Sequence, residues 1–295
     1  MQTISPEQGA RLMRAATTAS SLVALTLILA KAVVWQWSGS VSLLASLVDS
    51  VMDGVASLMT LLAVRYSLVP PDDEHRFGHG SAEALAGLAQ ALFIGASAVF
   101  LFTEGLQRLR APSPPEATGW AVAVMVLSIV LTVALVSFQR YVVKRTGSTA
   151  VAGDSLHYLS DLATNVAIIV AILVAGAGWV WFDAGVALVI AVMIFLSALK
   201  LGYDAVQLLL DRELPSDIRQ RIEALLRESE GVLGLHDLRT RQSGRVYFVQ
   251  AHVELDRQLS FEQAHDYIRA AGDRVRAAFP GAEVLIHGDP VTAAP

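Results

Sequence analysis

Long apolar runs separated by short polar turns fill most of the chain. Six spans can be drawn, at 14–37, 41–67, 81–109, 119–143, 150–174 and 180–210. At about 1.5 Å of rise per residue, each is long enough to cross a hydrocarbon core about 30 Å thick. The connections are rich in turn formers: Ser38-Gly39-Ser40, Pro112-Ser113-Pro114-Pro115, Thr146-Gly147-Ser148 and Gly176-Ala177-Gly178. After residue 211 the pattern changes. Residues 218–229 have helical periodicity, and 234–242 and 245–255 alternate like strands around a Ser243-Gly244 hairpin turn. Residues 261–279 are helical, with Ser260 as N-cap and Gln263 completing a capping box, and 282–287 form a short last strand. The expected fold is a membrane all-α six-helix bundle over 1–211, then a small α+β domain over 212–295 in the order αββαβ. Pro215 is suited to start the first helix of that domain. Two helices on one face of a three-stranded sheet fit the order.

Composition agrees with membrane spans. Of 295 residues, 54% are hydrophobic, and the mean hydropathy is +0.51. Half of the 22 Lys and Arg residues and nearly half of the 27 Asp and Glu residues lie after residue 211. There is no cysteine, which removes disulfides and thiolate metal sites, so any metal must sit on nitrogen and oxygen. The net charge is −5 and no basic run marks nucleic acid as a partner. Arg11, Arg14, Arg65, Arg76, Arg140, Lys144 and Arg145 fall on one side of the six spans, and only Arg108 and Arg110 on the other. That asymmetry puts the N-terminus and the C-terminal domain in the cytoplasm. The polar N-terminus shows no small-residue cleavage site, so the first span is expected to be retained. Lys31 lies inside that span, and snorkelling to the outer interface is its plain account.

Two spans bury ionisable side chains. Asp49 and Asp53 in the second, and His157 and Asp161 in the fifth, are each four residues apart and share a helix face. A central Asp costs about 2.5–3.5 kcal/mol on insertion scales. A divalent cation would compensate that cost. Running the second span inward and the fifth outward places Asp49 about 12 Å and Asp53 about 18 Å below the outer surface, with Asp161 at about 14 Å and His157 at about 20 Å. Three carboxylates and one imidazole at interleaved depths suit Zn²⁺, and also Cd²⁺, Fe²⁺ or Mn²⁺. Polar pairing across helices is the plainer alternative for either motif alone. Leu156, beside His157, is either ordinary packing or an apolar plug.

The loop after the second span holds Asp72, His75 and His79, which converge if 75–79 form a helical turn. The alternative is a solvated polar loop. In the last domain His236 and His252 are symmetric about Gly244 and become cross-strand neighbours in a tight hairpin. His252 lies with Gln250 and Glu254 on the polar face of its strand, and His287 shares a face with Asp289. These groups can hold one or two ions with Asp289 bridging, or they are scattered surface histidines.

The motifs SLVDSVMDG, PPDDEHRFGHGSAEALAGLAQ, SFQRYVV, DSLHYLSDL, GYDAVQLLLDRELP, HDLRTRQSG and IHGDP recur in order from about residue 11 to 290. With them the chain resembles the cation diffusion facilitator family, most closely its bacterial zinc/ferrous-iron efflux branch. The resemblance implies a homodimer in the bacterial inner membrane that exchanges cytoplasmic divalent metal for protons by alternating access. It implies a metallochaperone-like cytoplasmic domain that binds metal and dimerises. It assigns Asp49, Asp53, His157 and Asp161 to transport, Asp72, His75 and His79 to a loop site, and His236, His252, His265, His287 and Asp289 to a cytoplasmic cluster. Leu156 matches the family's apolar gate, and Asp211 a hinge aspartate between protomers. One position departs: Ser81 stands where that branch carries the lysine that pairs with the hinge aspartate. Two other classes are a non-transporting metal sensor or scaffold and a membrane metalloenzyme. The second would need an HExxH or a spare glutamate beside the aspartates, and neither is present.

Overall fold

The computed structural model describes residues 5–38, 41–110, 119–175 and 180–291. Of the expected connections, Gly39-Ser40, Pro112-Ser113-Pro114-Pro115 and Gly176-Ala177-Gly178 lie outside the described residues. Packing divides the chain into Met1–Val206 and Gln207–Pro295, a few residues before the expected boundary.

The first unit is helical: α1 (Pro6–Ser38), α2 (Val41–Ser67), α3 (Ser81–Arg110), α4 (Gly119–Thr146), α5 (Thr149–Ala175) and α6 (Val180–Leu209). α1 starts eight residues before its apolar run, with Ser5 and Gln8 capping each other. Five of the helices are apolar and long enough to cross a membrane over their described residues. Leu22, Leu25, Leu29 and Val33 recur on one exposed face of α1, as expected of a lipid-facing stripe.

Small residues let the helices approach. On α3, Ala91 and Ala98 are buried. The Cβ of Ala91 would lie 3.4 Å from one added at Gly202 of α6, and the Cβ of Ala198 of α6 would lie 4.0 Å from one added at Gly95 of α3. Such small-residue spacing lets bare backbones approach. Leu156 of α5 packs into the same cluster, against Ile94, Ala98, Ile194 and Ala198. Between α1, α2, α4 and α5 the core mixes apolar residues such as Val64, Val142 and Leu135 with polar ones. Ser20 donates to Ser57 at 3.0 Å, Gln139 donates to Asp154 at 2.7 Å, and the Tyr158 hydroxyl lies 2.9 Å from that of Ser57. In hydrocarbon these groups must satisfy one another.

The second unit runs α7 (Ser216–Arg227), β1 (Gly234–Ser243), β2 (Val246–Leu255), α8 (Phe261–Ala278) and β3 (Glu283–Pro290). The sheet order is β1-β2-β3, antiparallel then parallel. Val249, Ala251, Val253 and Leu255 face a core with Ile222, Leu226, Ala271 and Val275. The capping box at Ser260 and Gln263 is present. The hairpin turn is Gly244-Arg245, with Gly244 at φ +56, one residue later than Ser243-Gly244. A strict register from that turn would bring position 237 opposite His252. A bulge between His236 and Arg239, with Asp237 at φ +49, absorbs the extra residue and pairs His236 with His252.

Candidate metal centres

α2 and α5 bring three ligand atoms together, those of Asp53, His157 and Asp161, all within 4.8 Å of one another. His157 Nε2 lies 3.1 Å from Asp53 Oδ1 and 3.8 Å from Asp161 Oδ2. The ring is 4% exposed, and Nε2 carries no hydrogen bond. A buried ring nitrogen between two carboxylates is the donor set that an N/O cation site requires. Phe93 meets the imidazole edge-on at 5.5 Å between centroids and limits its rotation. Asp49 lines the same cavity, of about 500 Å³, but stands outside the converging trio.

The sequence reading passed over Asp154. It is fully buried one turn before His157 and held by Gln139 and Ser57. Its signal was in the chain: positions 154, 157 and 161 share one helical face.

The loop trio also converges: Asp72, His75 and His79 meet within 4.8 Å. The expected helical turn is absent. Instead Asp72 Oδ1 accepts from the backbone N–H of His75 at 2.6 Å and of Glu74 at 3.0 Å, and Gly78 at φ +80 reverses the chain. Asp72 Oδ2 then lies 3.3 Å from His79 Nε2. The His75 backbone donor foremost, then that of Glu74, holds the Asp72 carboxyl below the usual range.

In the second unit Asp289 bridges. Its Oδ2 lies 2.9 Å from His252 Nδ1 and 3.4 Å from His236 Nε2, and its Oδ1 lies 3.3 Å from His287 Nε2. The hydrogen bond from His252 is the chief cause of a carboxyl held below its ordinary range. Glu254 and Asp237 stand at the edge, 3.9 Å from His236 and 4.0 Å from His252. Asp237 lies in the bulge itself, at φ +49, so strand alternation did not reveal it. His265 stands apart from the trio of His236, His252 and Asp289. It stacks on Phe261 and lines a neighbouring cavity of about 210 Å³ that Asp289 also borders. Asp211, at φ +54, pairs with Arg241 at 3.1 Å, whose guanidinium sits 4.2 Å over the Phe248 ring.

A helical membrane bundle with a buried carboxylate–imidazole cluster, and a separate α+β unit carrying another, together define a membrane protein that handles divalent metal. Comparison with known proteins agrees. Residues 17–210 match the Cation efflux transmembrane domain. Residues 214–291 match the Cation efflux protein, cytoplasmic domain, the dimerisation module of that family. The Cation-efflux pump FieF of Shewanella oneidensis is 50% identical over 96% of this chain and 96% of its own length. The FieF pump of Citrobacter koseri is 49% identical over 97% of this chain and 95% of its own. Among solved structures, one of CzrB is 32% identical and covers 27% of this chain and 99% of its own, at a TM-score of 0.26. The chain belongs to the cation efflux, or cation diffusion facilitator, family. It is a multi-pass divalent-cation efflux transporter, not an enzyme, and works as a homodimer.

Proposed function

We propose that the protein exports Zn²⁺ from the bacterial cytoplasm in exchange for protons, with Cd²⁺, Fe²⁺ and Mn²⁺ as further substrates that an all-N/O site accepts. The observation that carries this reading is the buried Nε2 of His157 held between Asp53 and Asp161. One nitrogen and two carboxylates from two helices form a site that relative motion of those helices can make and unmake. Asp49, Asp53, His157 and Asp161 bind the ion; the last three already converge, and Asp49 lines the same cavity.

Binding needs carboxylates and a neutral imidazole, so the ion displaces whatever protons the site holds. When the bundle opens outward, protons compete for the same atoms and the ion leaves. Competition at one site couples the two fluxes. Leu156, packed against α3 and α6 beside His157, acts as the apolar gate of the site. The distribution of basic residues supports a cytoplasmic position for both termini and, with them, the second unit. There the cluster around Asp289 and the loop trio around Asp72 sample cytoplasmic metal. Metal held by the dimerisation unit biases the transport equilibrium by preferring one arrangement of the protomers. The hinge role of Asp211 takes a new form, since Ser81 removes the expected lysine and Arg241 is the partner at hand.

Zinc-driven proton movement in proteoliposomes tests the reading. Asp161→Ala should abolish the exchange while the purified protein stays folded and dimeric. Exchange at the parent rate from that variant would overturn the assignment. Competition among Zn²⁺, Cd²⁺, Fe²⁺ and Mn²⁺ in the same vesicles ranks the substrates.

A further inference from the structure

α1 places a positive charge in the cavity that the mechanism above does not use. Lys31 lies two turns before the end of α1 at Ser38, about 10 Å along the axis. Asp49 lies about 12 Å past the start of α2 at Val41. The two helices pack along one another, so both side chains reach a similar depth. Snorkelling to the lipid interface does not describe what Lys31 does. Its Nζ donates to the backbone carbonyl of Ser46 at 3.1 Å and to the Ser50 hydroxyl at 2.6 Å. Those two residues flank Asp49 on α2. The ammonium is therefore held against the helix that carries the carboxylates, and Lys31 lines the cavity with Asp49, Asp53 and Asp161.

The charges then balance. Asp49, Asp53 and Asp161 all line the cavity, three carboxylates facing one divalent ion, which leaves one negative charge. An ionised carboxylate in hydrocarbon is costly unless a positive charge compensates it, and Lys31 is the cation held at that height.

We infer that Lys31 is a fixed counter-cation of the cavity: it offsets the third carboxylate, leaves the ion-loaded cavity neutral, and limits how tightly a divalent ion is held. The inference rests on the proposed transport role of the trio. With Lys31 in place, one of the three negative charges that the incoming ion meets is already compensated. Without it none is, and the ion binds more tightly and leaves more slowly. A transporter must release its substrate as readily as it captures it, so the lysine would raise turnover by weakening the bound state.

The test compares Lys31→Met and Lys31→Arg with the parent in full-length protein. His79→Ala and His252→Ala are added so that equilibrium Zn²⁺ titration reports the cavity. Lys31→Met keeps the length of the apolar stem and removes the charge. It should bind Zn²⁺ about tenfold more tightly, and in vesicles show a lower half-saturating concentration with a lower maximal rate. Lys31→Arg keeps charge and donors and should stay within about twofold of the parent in both. If Lys31 only pins α1 to α2, Lys31→Met would bind Zn²⁺ as the parent does or more weakly, and either result overturns the inference. A parent protein that binds Zn²⁺ but moves none overturns the transport reading instead. The affinity comparison would then still decide the charge role of Lys31.

Discussion

His157 shows how much one side chain depends on its neighbours. Its Nε2 is buried and unbonded, a state a protein core rarely keeps. Phe93 restrains the ring, and two carboxylates face it. Asp154 beneath it is the opposite case, fully buried but supplied with donors by Gln139 and Ser57. Asp154→Asn should therefore keep the fold, because an amide oxygen still accepts from Gln139. Asp154→Ala should lower stability by about 1–3 kcal/mol, because it strands the buried Gln139 amide. Thermal unfolding of the detergent-solubilised protein separates the two. Asp289 gives a pH prediction. Its carboxyl is held below the ordinary range, foremost by the His252 hydrogen bond. Its contribution to stability is thus fully present above the unfolded value, about 3.9, and is lost as pH falls through the lowered folded value. Metal-free urea unfolding of the 207–295 fragment between pH 6 and 2 should show the parent more stable than Asp289→Asn at pH 6, with the difference vanishing in acid. A constant difference would contradict this.

Elements are where local pattern and packing meet. α5 carries the cavity's imidazole and one of its carboxylates. α3 is its principal neighbour along with α4, and Gly153 permits the approach. A Cβ there would lie 3.0 Å from Gln90 Cβ and 3.3 Å from Leu201 Cδ2. Gly153→Val should push α5 off α3 and cost about 1–3 kcal/mol, with transport reduced more than expression. Flux per folded dimer checks it. The second unit offers a different lesson. Alternation along β2 fixed which residues face the core, since Val249, Val253 and Leu255 must leave water. It also put His252 on the polar side. The partner of His252 depended on a bulge that alternation does not encode. His236 was paired correctly from a hairpin centre half a residue off, because the bulge made up the difference.

For the whole molecule, the two units have separate cores and separate metal-ligand clusters. Removing His236, His252 and His287 together by alanine substitution should leave the bundle able to exchange metal. It should weaken the dependence of rate on cytoplasmic zinc, raising the half-saturating concentration while the maximal rate survives. Rates measured across a zinc series in vesicles decide this. Complete loss of exchange would mean that the second unit takes part in the ion's path rather than biasing it.

The six helices, the αββαβ order and the ligand motifs were all legible in the chain. Hydrophobic period and helical or strand spacing are local properties, and each motif falls within one element or one turn. Four facts needed the folded molecule: that Asp49 stands aside while Asp53, His157 and Asp161 converge, that Lys31 reaches α2, that Asp237 joins the histidines, and that Asp154 is sealed in a polar core. Each depends on how one helix is rotated against another or on a single extra residue in a strand. Spacing along one element carries no information about either, because packing between elements sets both.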